Sequence, residues 1–111
     1  MKAKTKVQTF NLLEMMLKQI KDLSNLASDF RVNLSRETND MIENILRIES
    51  EFDKYDEKTL IDKITSLRKD IHKIDHLIYL FHFRASIIKR AMEISITNLI
   101  KDIEGENNGK K

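Results

Sequence analysis

The chain has 111 residues, with no proline, cysteine or tryptophan, and its two glycines, Gly105 and Gly109, sit close to the end. Charged residues make up 34% and hydrophobic ones 41%, with a formal net charge of +2. A β-fold needs turn chemistry about every ten residues, and a disulfide or thiolate-metal framework needs cysteine, so both are excluded and a single all-α domain of amphipathic helices remains.

The first helix is expected to begin between Lys4 and Thr9. Leu13, Met16, Ile20, Leu23, Ala27, Phe30 and Leu34 alternate by three and four, the spacing that keeps one stripe on one side of a helix. Leu12, Leu17 and Leu26 widen that stripe, while Glu14, Lys18, Lys21, Asp22, Asn25 and Asp29 suit a solvent face. The basic start at Lys2, Lys4 and Lys6 is followed by Asn11 and Glu14, which fits neither a signal peptide nor a membrane span. The expected location is cytoplasmic.

The stripe resumes at Met41, Ile45, Ile48, Phe52 and Tyr55, but out of phase with Leu34. Such a shift marks either a turn or a stutter or stammer inside one helix. Ser35 could cap a new helix, and so could Asp40, with Glu43 three residues on as in a capping box. The next turn is better signalled, at 53–56. Asp56 is a suitable N-cap, and Tyr55 with Leu60 fits a hydrophobic staple.

A long helix over about 57–103 follows. Its stripe is Leu60, Ile64, Leu67, Ile71, Ile74, Ile78, Phe81, Ala85, Ile88, Met92, Ser95 and Leu99. Gly105 is a natural C-cap residue. The chain thus divides into a helical domain over 1–104 and a flexible polar tail over 105–111. The architecture is an antiparallel, coiled-coil-like bundle or long hairpin, with three helices preferred over two. The two-helix form would pair 5–54 with 57–103.

Charge is unevenly spread. Residues 37–57 carry eight acids and two bases, a local net of −6, while the segments on either side are each about +4. In either architecture the acidic 37–55 runs antiparallel to 58–76, where Lys58, Lys63, Arg68, Lys69 and Lys73 supply complementary charge.

The long helix changes character at Leu77. Beyond it a second apolar row appears, Leu80, Phe83, Ile87, Ala91 and Ile94, more than a third of a turn from the first at about 100° per residue. Tyr79 and Ile100 fall between the rows, and Ile96 widens the first. A helix apolar on two faces is usually buried on both. Tyr79, Leu80, Phe83, Ile87 and Ile94 are therefore the expected protein interface, with a second copy or another protein as partner.

Residues that could carry chemistry are few. His72 and His76 lie one turn apart, a spacing that suits a metal ion, but the sequence names no third ligand. His82 lacks the lysine and glycine that follow the phosphoacceptor of histidine phosphotransfer domains. The run 67–75, LRKDIHKID, resembles the opening helix of all-helical chorismate mutases. That resemblance implies that Arg68 and a second arginine would hold substrate carboxylates. The second would fall at Ala85, which Arg84 misses by one residue, and the family's later lysine would fall at Ile96. Only 36 residues follow Asp75, too few for the helices that complete the pocket.

The expectation is a non-enzymatic helical interaction module, such as an adaptor, chaperone-like binder or assembly subunit. It would use no metal, cofactor or small-molecule substrate, and would self-associate as a homo-oligomer. The alternative is a nucleic-acid binder using the basic segments 1–36 and 58–101, with Arg84, Lys89 and Arg90 as phosphate contacts.

Overall fold

The computed structural model describes residues 2–108, with side chains through Glu106. Two long helices, α1 (Ala3–Ser50) and α2 (Glu57–Asn108), pack against each other as an antiparallel hairpin. A single 3-10 turn, Phe52–Lys54, joins them. Among the described residues there is no strand, and no helix is long and apolar enough to cross a membrane.

The preferred three-helix architecture is replaced by two helices, because the backbone stays helical through 33–40. Neither Ser35 nor Asp40 acts as a cap. The Thr38 hydroxyl donates to the Leu34 carbonyl at 2.8 Å and to that of Ser35 at 3.1 Å, so its polar side chain bonds back onto the helix without opening it. Phe30, Leu34, Glu37, Met41, Asn44 and Ile48 are among the less exposed positions there, spaced by four, three, four, three and four. Leu26 precedes Phe30 by another four, and two successive steps of four make a stutter, so the inward stripe changes phase at 26–34, upstream of the shift expected after Leu34.

The reversal falls close to where it was expected. The Tyr55 backbone is extended (φ −90°, ψ 135°), and its N–H closes the 3-10 turn on the Phe52 carbonyl at 3.3 Å. Asp56 caps α2, its Oδ1 accepting from the Thr59 N–H at 2.7 Å. No residue in the turn needs a positive φ, so the chain reverses without glycine. At the far end α2 continues through Gly105 to Asn108, so Gly105 is not the C-cap. The first residues of the expected tail are helical, and 109–111 lie outside the described residues.

The inward stripe also differs from the expected one. On α1 it passes through Leu12, Gln19 and Leu26, leaving their neighbours Leu13, Ile20 and Ala27 exposed. On α2, Leu60, Leu67 and Ile74 turn inward as expected, while Ile64, Ile71 and Ile78 are exposed. The cause is the width of the apolar band. A single facing helix covers only part of it, and a choice between adjacent residues is a choice of about 100°.

Packing divides the molecule into two compact units. Unit 1 comprises Met1–Leu26 and Phe83–Lys111, and unit 2 comprises Ala27–His82. Among the described residues no hydrophobic side chain is fully buried, and Thr5 is the one buried residue.

Candidate docking surfaces

In unit 1 the seam between the helices is partly polar. Thr5 and Thr9 replace apolar side chains on α1, and Ser95 does so on α2. The Thr5 hydroxyl donates to Glu106 Oε2 at 2.5 Å, and the Lys2 backbone N–H donates to its Oε1 at 2.5 Å. One carboxylate thus ties the start of α1 to the end of α2, fixing which residues face each other. Gln19 also lies in the seam, and its buried Oε1 accepts no hydrogen bond. Leaving such an atom unsatisfied costs stability.

Leu26, Ile87 and Ile88 line an open, almost wholly apolar groove of about 310 Å³ on one side of unit 1, with Asp22 and Arg84 beside them. Ile87 and Ile94, two of the residues expected at an interface, are 55% and 52% exposed. Phe83 is exposed to a similar degree. In an antiparallel pair, equal turns away from the two inward stripes lead to the same side. Ile87 and Asp22 both lie about 100° before their stripes, and they meet at this groove.

The other side of unit 1 is apolar as well. Phe10, Leu13, Leu17 and Ile20 follow the α1 stripe by about 60–140°, and Ile96 and Ile100 follow the α2 stripe similarly. All six are exposed. Reading the sequence put Leu13 and Ile20 in the core. The signal that they lie outside was the presence of Leu12, Leu17 and Leu26, too many apolar residues for one stripe.

In unit 2 the seam holds a stacked pair, Phe30 and Phe81, with ring centroids 4.5 Å apart and planes 15° apart. Asn44 Nδ2 donates to Asp70 Oδ2 at 3.0 Å across the seam. Among the described residues no ion pair joins 37–55 to 58–76; Lys63 instead sets its Nζ 5.8 Å from the Tyr55 ring centroid. On one side of this unit Asn44, Arg47, Lys63 and Ser66 line a polar hollow with Ile48 and Tyr55. On the other, Ile42 and Leu46 of α1 and Ile64, Ile71 and Ile78 of α2 make an apolar side. Tyr79 is 63% exposed and Leu80 half-buried, so these two expected interface residues belong to unit 2.

Close to the turn, the Tyr55 hydroxyl donates to Glu51 Oε2 at 2.6 Å. That bond lowers the Glu51 carboxyl below the usual range, helped by the charges of Lys54, Arg47 and Lys63. The same bond raises the Tyr55 phenol. Asp56 is lowered by its hydrogen bonds from the Thr59 side chain and backbone.

The three bases expected to touch phosphate do not converge. Arg84 lines the groove, Lys89 reaches Glu93 at 3.9 Å, and Arg90 turns to a third side of α2. Among the described residues no third His, Asp or Glu joins His72 and His76 to form a metal cluster. Comparison with protein-family models, with curated proteins and with solved structures finds no match.

Proposed function

We propose that this chain is a non-enzymatic helical interaction module that docks partner helices on its exposed apolar sides. The observation that supports this reading is the missing core. No described hydrophobic residue is fully buried, while twenty large ones are exposed. Scattered surface leucines mean little, but contiguous apolar patches mark interaction surfaces. Here the exposed residues are concentrated in bands along the helices, which a partner helix fits by interdigitation.

The groove of Leu26, Ile87 and Ile88 suits the apolar face of one more helix, with Asp22 and Arg84 at its rim to set orientation through charge. Covering a side chain such as Ile87 contributes roughly 1.5–3 kcal/mol, so a few of them support micromolar binding after the entropy cost. The test combines circular dichroism with sedimentation on the wild type and on Ile87→Glu. The variant should keep its helical signal and lose associated mass. A wild type that melts cooperatively, binds no apolar dye and stays monomeric at every concentration would remove the reading.

A further inference from the structure

We infer that the polar hollow of unit 2 binds a phosphate-sized oxyanion, held between the two helices by Arg47 and Lys63. The hollow is on the polar side of that unit, so the site stands or falls independently of the docking reading. Its donors come in pairs. Asn44 and Arg47 on α1, and Lys63 and Ser66 on α2, are each three residues apart, the spacing that sets two side chains on one helix face. The hollow thus receives an amide and a guanidinium from one helix, and an ammonium and a hydroxyl from the other. Ile48 and Tyr55 form its apolar wall.

Both cations keep their charge available. Residues 37–57 carry eight acids, yet among the described residues neither Arg47 nor Lys63 forms an ion pair. The nearby carboxylates are satisfied by neutral donors instead, Glu51 by the Tyr55 hydroxyl at 2.6 Å and Asp70 by Asn44 at 3.0 Å. Arg47 and Lys63, together with Lys54, all act on the Glu51 carboxyl, so these charges converge on one place. Lys63 is steadied there by the face of Tyr55, with its Nζ 5.8 Å from the ring centroid.

Size and chemistry select the ligand. The hollow measures about 120 Å³, the volume of roughly four waters, which admits a tetrahedral oxyanion and excludes a nucleotide. An arginine fork beside a lysine point charge is suited to gripping phosphate oxygens. The two neutral groups add donors. The Ser66 hydroxyl donates to the Lys63 carbonyl at 2.6 Å and can turn toward a ligand, and Asn44 uses one of its two amide hydrogens on Asp70. Because the anion touches both helices, its binding favours the closed hairpin over the unfolded chain.

The test is a denaturant melt in about 10 mM phosphate against chloride of equal ionic strength. With a dissociation constant of about 1 mM, the unfolding equilibrium constant should fall roughly tenfold. In the wild type the NMR signal of the Asn44 side-chain amide should move and saturate as phosphate is added. Arg47→Gln and Lys63→Gln should each weaken binding about tenfold. Lys58→Gln should leave it unchanged, because Lys58 lines a different hollow with Asp56 and Glu57. Glu51→Gln should tighten binding by removing the opposing charge. If Arg47→Gln fails to fold, Arg47→Lys keeps the charge and should lose part of the affinity along with the fork. Equal losses in the Arg47, Lys63 and Lys58 variants would mean diffuse attraction and overturn the site. So would a stabilisation that persists undiminished in all of them, as exclusion of the anion from the protein surface predicts, or a wild-type Asn44 signal that does not move. Free phosphoserine forms a second arm. Tighter binding than inorganic phosphate supports a site for the end of a phosphate ester seated on Ile48 and Tyr55, and weaker binding supports a site for the free anion.

Discussion

Unit 1 and unit 2 are built from the same two helices but hold their seams differently. In unit 2 an aromatic stack, Phe30 on Phe81, and a cross-helix hydrogen bond, Asn44 to Asp70, lie in the seam, and the turn caps one end. In unit 1 the seam contains Gln19 with an unsatisfied oxygen, and the tie is Glu106 holding Thr5 and Lys2. The surfaces differ in the opposite sense. Unit 2 is apolar on one side and polar on the other, whereas unit 1 is apolar on both. The contrast teaches a division of labour. Where the seam is well filled, less apolar surface is left for others; where it is poor, the large side chains lie outside, available to a partner.

Two substitutions would break this contrast. Phe30→Ala removes half of the stacked phenyl pair of unit 2 and should have the larger effect, destabilising the chain by about 2 kcal/mol, less than a fully buried phenylalanine because the ring is only half-buried. The check is a denaturant melt, and a change within error would mean that the stack contributes nothing to unit 2. Gln19→Leu acts on unit 1 in the other direction. It removes the unsatisfied oxygen and completes the seam, and should stabilise by about 1 kcal/mol. A destabilised Gln19→Leu would show that this polar position is satisfied by something outside the hairpin.

The helical class, the turn at 53–56 and the Asp56 cap were legible in the sequence because each is set locally: by apolar spacing, by the absence of proline and by one carboxylate reaching its own backbone. The continuity of α1 through 33–40 was not. Ser35 and Asp40 are acceptable caps, and whether a cap is used depends on whether the facing helix continues alongside, which is not local information. The inward stripe was ambiguous for the same reason. Leu12 and Leu13, or Gln19 and Ile20, differ by one residue, and the partner across the seam decides between them. Ile87 and Ile94 could be named because their row lies far round the helix from the main stripe, whereas Leu13 and Ile20 looked like core. Gly105 misled because glycine permits a left-handed cap without requiring one. Its α-carbon faces open space, with nothing within 4 Å of where a Cβ would sit, and α2 passes straight through it.

The smallest expected effect sharpens the contrast by acting on unit 2 alone. Glu51 is lowered first by the Tyr55 hydroxyl and then by neighbouring cations, and Asp56 by Thr59. Groups lowered on folding stabilise the turn above their unfolded titration, and that contribution is lost as pH falls through the folded one. Tyr55 is raised, chiefly by the same hydrogen bond, so its contribution is complete below the ordinary phenol range and disappears as pH rises through the raised value. The turn is therefore held from both sides, weakening in acid as Glu51 and Asp56 protonate and in strong base as Tyr55 ionises beside Glu51. Tyr55→Phe separates the contributions. In that variant the Glu51 carboxyl, followed by its side-chain NMR shift, should titrate nearer the ordinary range. Asp56 should keep its lowered titration, because its partners lie within its own helix cap. Amide exchange should accelerate around 51–59 and remain unchanged in unit 1. An unmoved Glu51 titration would assign its shift to Lys54, Arg47 and Lys63, leaving the turn anchored by charge and not by the tyrosine.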